Sequence, residues 1–433
     1  MNAISSLDSD SLLIEGGETL RGTVEISGAK NASLPVLIAS LLTNQECIVR
    51  KVPELLDTKT TRELLESFGA RLRIEGKTWH IDPSGVNSHE APEALVRKMR
   101  ASVLVMGPLL ARFKKARVAM PGGCSIGVRG IDQHLKVFQL AGASINISHG
   151  FILLEAKALK PVEYTFEVIT VTGTENALML LSSCKGTSVL KNVAIEPEVL
   201  DLAKALNSMG AEITFEGRTA VIKGTEHLGG FDHSLIPDRI EAGTFAVASH
   251  ITGGDILLLN ANAEHMSAVL EKLSECGADI SVSDNAIRVS SKGIIKPLDI
   301  STQEYPGFPT DMQAQFTTLC AIAPGQSLIT ENIFENRFQH ISELLRMGAD
   351  IKVRSRTAYI NGKRALTGAE VYSTDLRASA GLVLAGLIAK GTTIVRDIHH
   401  LDRGYESLEL KLSSLGARIA RLPSLSQSEV SSP

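Results

Sequence analysis

Two residues in this chain are candidates for acid and base chemistry. One is the cysteine of the run Pro121-Gly-Gly-Cys-Ser-Ile-Gly-Val-Arg129, and the other is the aspartate of Phe308-Pro-Thr-Asp311. Glycines flank the cysteine on both sides, so the backbone can leave regular structure at little steric cost and Cys124 reads as a thiol at the tip of a turn. Close to Arg129 and at the approach to a helix, its pKa is expected to fall toward neutrality, which suits a proton donor or a nucleophile. Asp311 stands at a helix start, where an aspartate ordinarily serves as N-cap. Thr310 could do that capping, which would free Asp311 to act as a general base among cations that keep it ionised.

Cations recur at corresponding places. Read as repeated units, the chain starts its first helices at Lys30-Asn31, Arg100, Thr174-Glu175, Arg239, Asp311 and Arg377, and its second helices near Asp57, Arg129, Glu196, His265, Arg337 and Arg403. A helix N-terminus carries unpaired N–H groups and a partial positive charge, and an adjacent cation deepens its preference for anions. Each such end contributes about 0.3–1 kcal/mol when exposed, and a charge-assisted hydrogen bond about 1.5–3 kcal/mol. A few together would hold a multiply charged ligand although the formal net charge is −4. Lys30, Arg100, Arg129, Arg337, Arg377 and Arg403 are the expected set.

The elements that must position these residues come from an internal repeat. A Gly-Ala step recurs at Gly69, Gly142, Gly210, Gly277, Gly348 and Gly416, at intervals of about 70 residues. Each step closes a helical segment and opens an alternating strand such as Glu212-Ile-Thr-Phe215, and the glycine reads as a left-handed helix C-cap. Upstream in each unit lies a helix rich in small residues (30–43, 100–112, 174–184, 241–252, 311–323 and 377–389), then a short strand. The unit is βαβαββ, written six times. The small residues suit close packing, so these helices are expected inside, with the strands around them. The sixth unit ends one strand short, and a surplus N-terminal hairpin, Leu12-Leu-Ile14 with Val24-Glu-Ile26, could supply it. The expected division is therefore residues 1–29 with 238–433 as one domain and residues 30–237 as the other, three repeats each. The chain would cross twice between them, which permits hinge closure.

Composition narrows the function. A chain of 433 residues exceeds one ordinary core. Net negative charge and 4% aromatic residues argue against a nucleic-acid groove. The five cysteines show neither paired spacing nor histidine partners, so no disulfide framework and no metal site is indicated. No signal peptide is legible at the N-terminus, and the longest apolar stretch, 378–389, is too short to span a membrane. A cytoplasmic protein with no membrane association is expected. Gly22 to Lys30 only brushes against the P-loop pattern, no dinucleotide fingerprint is present, and no cofactor is called for.

Taken with Gly28-Ala-Lys-Asn31, Met99-Arg-Ala-Ser102, Thr172-Gly-Thr-Glu-Asn176, Pro237-Asp-Arg-Ile-Glu241, Tyr305-Pro-Gly-Phe-Pro-Thr-Asp311, Phe334-Glu-Asn-Arg-Phe338, Asp375-Leu-Arg377 and Asp402-Arg-Gly-Tyr405, the Cys124 loop gives the chain an end-to-end resemblance to the UDP-N-acetylglucosamine 1-carboxyvinyltransferase family of enolpyruvyl transferases. The resemblance implies a two-domain inside-out α/β barrel of six βαβαββ repeats. It implies transfer of enolpyruvate from phosphoenolpyruvate to the 3′-hydroxyl of UDP-N-acetylglucosamine, with release of phosphate, at the start of peptidoglycan precursor synthesis. On this resemblance Lys30 and Asn31 meet both substrates, while Arg129 and Arg403 hold phosphoenolpyruvate. Cys124 is the proton donor to its methylene carbon, able also to form a thioether adduct with it, and Asp311 takes the hydroxyl proton. Arg100, Gly130, Ile131, Asp132, Gln133 and Ile333 line the sugar-nucleotide site, with Arg337 and Arg377 close by. Acid and base, in different expected domains, would converge on closure. Two rival readings are a related enzyme acting on shikimate 3-phosphate, against which the Pro-Gly-Gly-Cys loop speaks, and a non-enzymatic six-repeat scaffold, against which the focused arginines speak.

Overall fold

The structure, a computed structural model, describes residues 10–121, 127, 130–363 and 365–424. It divides the chain into two compact units, one of residues 27–121 with 130–236 and the other of residues 10–26 with 237–424, each around its own hydrophobic core.

Every sheet follows one plan. In the first unit, strand Cys47–Arg50 lies between a short parallel strand, Asp232–Ser234, and the antiparallel hairpin Arg71–Glu75 with Thr78–Asp82. Gly186–Lys191 is flanked likewise by Glu163–Thr165 and by the hairpin Glu212–Glu216 with Thr219–Gly224. The sheet of Lys115–Ala119, Ser144–Ser148 and Phe151–Glu155 has three strands, and a single parallel bridge from Glu90 to Arg117 stands where the others carry their short strand. The second unit repeats the plan around Asp255–Leu259, Gly325–Thr330 and Thr392–Arg396.

The glycine of each Gly-Ala step is left-handed, with φ of 106°, 108°, 107°, 112°, 89° and 102° from Gly69 to Gly416. A side chain there would meet its own carbonyl, which is why the step recurs. The first helices are buried nearly all round. Residues 240–251 of Arg239–Ile251 and 377–387 of Leu376–Ile388 have no exposed face. Small residues allow this: a Cβ on Gly381 would sit 3.0 Å from the Ala314 carbonyl of the neighbouring helix Gln313–Ile322. The apolar run 378–389 belongs to one of these core helices, and among the described residues no helix is long and apolar enough to cross a membrane.

The N-terminal strands correct one expectation. They do not form a hairpin. Ser11–Glu15 inserts between Thr392–Arg396 and Arg418–Leu422, supplying the strand the sixth repeat lacks, whereas Arg21–Glu25 runs parallel to Asp255–Leu259 in another sheet. Each strand goes where a ladder edge is unsatisfied, because an open row of N–H and C=O groups outweighs sequence proximity.

Candidate active site

In the second unit the site is built on Asp311. The 3₁₀ turn Thr310–Met312 and the helix Gln313–Ile322 carry no side-chain cap, so neither Asp311 nor Thr310 caps. Both side chains have other partners. Asp311 Oδ2 accepts from Arg377 Nε at 3.1 Å and Nη2 at 2.9 Å, and Oδ1 lies 2.8 Å from Arg337 Nη2. Burial alone would push this carboxyl up, but the Arg377 and Arg337 charges outweigh it and hold the group well below the usual carboxylate range. A quarter of the Asp311 side chain stays accessible, and Oδ1 spends one lone pair on Arg337, so an accepting direction is left over.

Both arginines are fixed from behind. Arg377 is 2% exposed, in the first turn of Leu376–Ile388, whose N-terminus Asp375 caps by accepting from the Arg377 and Ala378 N–H groups. Its guanidinium lies 5.5 Å from the centre of the Tyr405 ring. The Thr244 hydroxyl gives its proton to the Ile240 carbonyl, so Tyr405 Oη donates to Thr244 and accepts from Gln315 Nε2. Arg377 Nη1 is buried with no partner among the described residues. Arg337 is 5% exposed and donates from Nη1 to Thr310 Oγ1 at 2.9 Å.

This geometry corrects the reading of two cations as helix-start groups. Arg337 precedes the helix His340–Arg346, and Arg403 is the last residue of the 3₁₀ helix Ile398–Arg403, ahead of the helix Leu408–Ser414. What places Arg337 is the carboxylate it pairs with. Arg403 is half-buried, beside an Asp402 that Arg421 grips through Nη1 at 2.9 Å and Nη2 at 2.6 Å. Ile333 lies in the turn after strand Gly325–Thr330, its N–H given to Glu331.

In the first unit Lys30 opens the helix Lys30–Ala39, its ammonium 3.0 Å from Asp57 Oδ2, with half-buried Asn31 next to it. Arg100 opens the 3₁₀ helix Arg100–Val105 and is half-buried. Gly130 is exposed, Ile131 is buried, and Asp132 starts the helix Asp132–Leu140. Gln133 is 5% exposed and engaged within the unit: Nε2 donates to Asp132, while Oε1 accepts from Tyr164 Oη at 2.9 Å and the Glu167 N–H at 3.0 Å. Cys124 and Arg129 lie outside the described residues. The remaining cysteines, Cys47, Cys184, Cys276 and Cys320, are buried free thiols, and burial pushes their pKa up to about 11 or 12.

Sequence reasoning did not single out Glu331, Tyr405, His134 or Asn176 as individual residues. Asn176 Oδ1 accepts from the Gly107 N–H, which turns its amide nitrogen to the Val103 carbonyl and to His134 Nδ1. His134 therefore carries its proton on Nε2, facing Thr172. Burial, aided by the Arg100 charge, drives its pKa down to about 3. Asn176 sits in the Thr-Gly-Thr-Glu-Asn motif, whose polar residues on a helix that continues with apolar residues, Ala177-Leu-Met-Leu-Leu181, were the available signal. Glu175 beside it is buried and held well above the usual carboxylate range, by burial and by the neighbouring Glu198 and Glu196.

The EPSP synthase (3-phosphoshikimate 1-carboxyvinyltransferase) family model matches residues 14–412. The chain belongs to the enolpyruvyl transferase family. It is 52% identical over 414 residues to a UDP-N-acetylglucosamine 1-carboxyvinyltransferase from Desulfosudis oleivorans, covering 95% of this chain and 99% of the relative. It is 50% identical over 416 residues to the protein of that name from Myxococcus xanthus, covering 95% and 99%. Among solved structures it resembles the enolpyruvyl transferase NikO from Streptomyces tendae, with a TM-score of 0.88 at 25% identity over 96% of this chain and all of the other. An EPSP synthase from Acinetobacter baumannii matches with a TM-score of 0.75 at 19% identity over the same shares. The fold is the two-domain inside-out α/β architecture of these neighbours.

Proposed function

We propose that this enzyme transfers the enolpyruvyl group of phosphoenolpyruvate to the 3′-hydroxyl of UDP-N-acetylglucosamine, releasing phosphate, as the first committed step toward peptidoglycan precursors in the cytoplasm. The observation that carries the reading is identity of about one half, along nearly the whole chain, to enzymes of that name. The Asp311 site supports it, because a carboxylate held ionised with one accepting direction open is what a hydroxyl acceptor requires.

In this mechanism the Cys124 thiol protonates the methylene carbon of phosphoenolpyruvate and the 3′-oxygen bonds to the carbon left electron-poor. The hydroxyl proton passes to Asp311. Return of a proton from the new methyl group to the Cys124 thiolate then breaks the carbon–oxygen bond to phosphate, restores the double bond and regenerates the thiol. Lys30, Arg129 and Arg403 neutralise the phosphate and carboxylate. Arg100, Asn31, Gly130, Ile131, Asp132 and Ile333 bind the sugar nucleotide, with Gln133 as a brace for its neighbours, and Arg337 and Arg377 hold Asp311.

A second reading follows from the family model, whose description names the 3-phosphoshikimate enzyme. It is the weaker one, since the matching EPSP synthase structures are only 19% identical. Phosphate release from phosphoenolpyruvate, measured with UDP-N-acetylglucosamine or with shikimate 3-phosphate, separates the two. Release that depends on the sugar nucleotide is expected, and release only with shikimate 3-phosphate would overturn the assignment.

A further inference from the structure

Glu331 is 1% exposed and accepts hydrogen bonds from four donors, with no cation paired to it among the described residues. Its Oε1 takes the Thr302 hydroxyl at 2.8 Å and the N–H groups of Ile333 at 2.9 Å and Phe334 at 3.1 Å. Its Oε2 takes the Thr310 hydroxyl at 2.9 Å. A hydroxyl has one proton. Because Thr310 gives that proton to Glu331, only lone pairs face the other way, and one of them accepts from Arg337 Nη1. The other side of the same guanidinium holds Asp311 Oδ1. Thr302 repeats the pattern, donating to Glu331 and accepting from the Asn332 N–H at 2.8 Å. Glu331 thus fixes both the turn that carries Asp311 and the segment leading to Arg337, whose guanidinium lies 5.4 Å from the centre of the Phe334 ring.

We propose that Glu331 is a positioning residue for this reaction: through the Thr310 hydroxyl it holds Arg337 on Asp311. The inference rests on Asp311 being the base of the reaction proposed above. Among the described residues, the charged and titratable groups around that carboxylate are Arg337 from the segment before His340–Arg346 and Arg377 from Leu376–Ile388, with Asp238 and Tyr405 facing Arg377, and Glu331 and His340 on the Arg337 side. If the hydroxyl no longer accepts, Arg337 loses an anchor, its hold on Asp311 loosens, and the carboxyl becomes easier to protonate. Glu331→Gln places an amide N–H where Thr310 now donates, so the hydroxyl must accept there and its own proton turns toward the guanidinium.

The test compares Thr310→Val, Thr310→Ser and Glu331→Gln in the full chain, with the two-substrate assay and with ¹³C NMR of carboxyl-labelled aspartate, the Asp311 resonance being assigned by its loss in Asp311→Asn. Thr310→Val and Glu331→Gln are expected to lower kcat by roughly 10–100-fold and to move its acidic limb about one pH unit upward, with the Asp311 resonance titrating at higher pH than in the wild type. Thr310→Ser should restore all three. In an Arg337→Met background Thr310→Val should cost little more, because both act on one contact. An acidic limb and an Asp311 titration unmoved by both variants would overturn the inference, as would full additivity with Arg337→Met. Should Thr310→Val not fold, Glu331→Gln, close to isosteric, decides alone. The NMR arm needs no turnover. A wild-type protein without nucleotide-dependent phosphate release would refute the proposed function, and the titration would still judge the role of Glu331.

Discussion

Replacing Asp311 by asparagine tests the centre of the site. The substitution keeps the shape and removes one negative charge from between two guanidinium groups that are 5% and 2% exposed. Breaking a buried ion pair from one side costs about 3–5 kcal/mol, because the partner charge stays buried. The amide oxygen can still accept, and a neutral hydrogen bond returns about 1 kcal/mol, so a net loss of about 2–4 kcal/mol is expected. Two compact units need not unfold together, so a global melting curve would blur the effect. Native-state hydrogen exchange resolves it: protection over 310–337 and 376–388 should fall on the order of 10²-fold, each tenfold being about 1.4 kcal/mol, while residues 27–236 stay unchanged. Phosphate release should fall by about 10²–10⁴ while the sugar nucleotide still binds. The Asp311 carboxyl is depressed below an ordinary value of 3.8, so its stabilisation is complete above that pH and is lost only as pH falls through the lower folded value. The loss in the asparagine variant should accordingly be the same at pH 6 and pH 8. Wild-type exchange together with wild-type turnover would refute both the anchoring role and the base role.

Cys124→Ser should cut phosphate release by about 10²–10⁴, with Cys124→Asp retaining far more, because an alkyl hydroxyl is too weak an acid to protonate carbon; equal release by wild type and the serine variant would remove the thiol from this role. His134 folds neutral with its pKa lowered from 6.5 to about 3, so the unfolded chain binds the extra proton; stability should fall as pH drops across that window, by up to about 5 kcal/mol, and acid titration of His134→Gln should show a shallower fall. Glu175 has the opposite sign: its folded carboxyl keeps a proton that the unfolded chain releases above 4.5, so stability should fall by about 1.4 kcal/mol per pH unit from there until the pH reaches the higher folded value, and a Glu175→Gln variant with the same slope as wild type would count against it.

How much of this was legible depended on range. The glycine steps predicted six left-handed caps because a cap is decided within a few residues, and all six glycines adopt that conformation. The missing sixth strand was legible as a deficit, since in most units the Gly-Ala step leads into two strands and after Gly416 only one follows. That the N-terminus supplies it was legible as well; that its two strands part into different sheets was not, because Leu12 pairs with Val395 and Thr23 with Leu257, contacts no local pattern encodes. The Asp311 cluster shows the same limit. Its residue types were visible at 311, 337 and 377, but that two arginines share one carboxylate emerges only when three segments meet, and Glu331 looks in sequence like one more acid after a strand.

A carboxylate held this far below its ordinary pKa is a poor base, and that constrains when it can act. Early proton removal from a sugar hydroxyl would ask Asp311 to take a proton it binds weakly from a group that holds its proton tightly. Once the 3′-oxygen has bonded to the electron-poor carbon, the same proton sits on a positively charged oxygen and is far more acidic than any carboxylic acid. Transfer to Asp311 is then downhill even with Arg337 and Arg377 in place. In the proposed mechanism the two arginines would therefore keep the acceptor ionised before attack and make proton transfer follow carbon–oxygen bond formation. They would also make the protonated carboxyl short-lived, because a neutral Asp311 would leave two buried guanidinium groups without the carboxylate that pairs them, so the proton would have to leave before the next turnover begins.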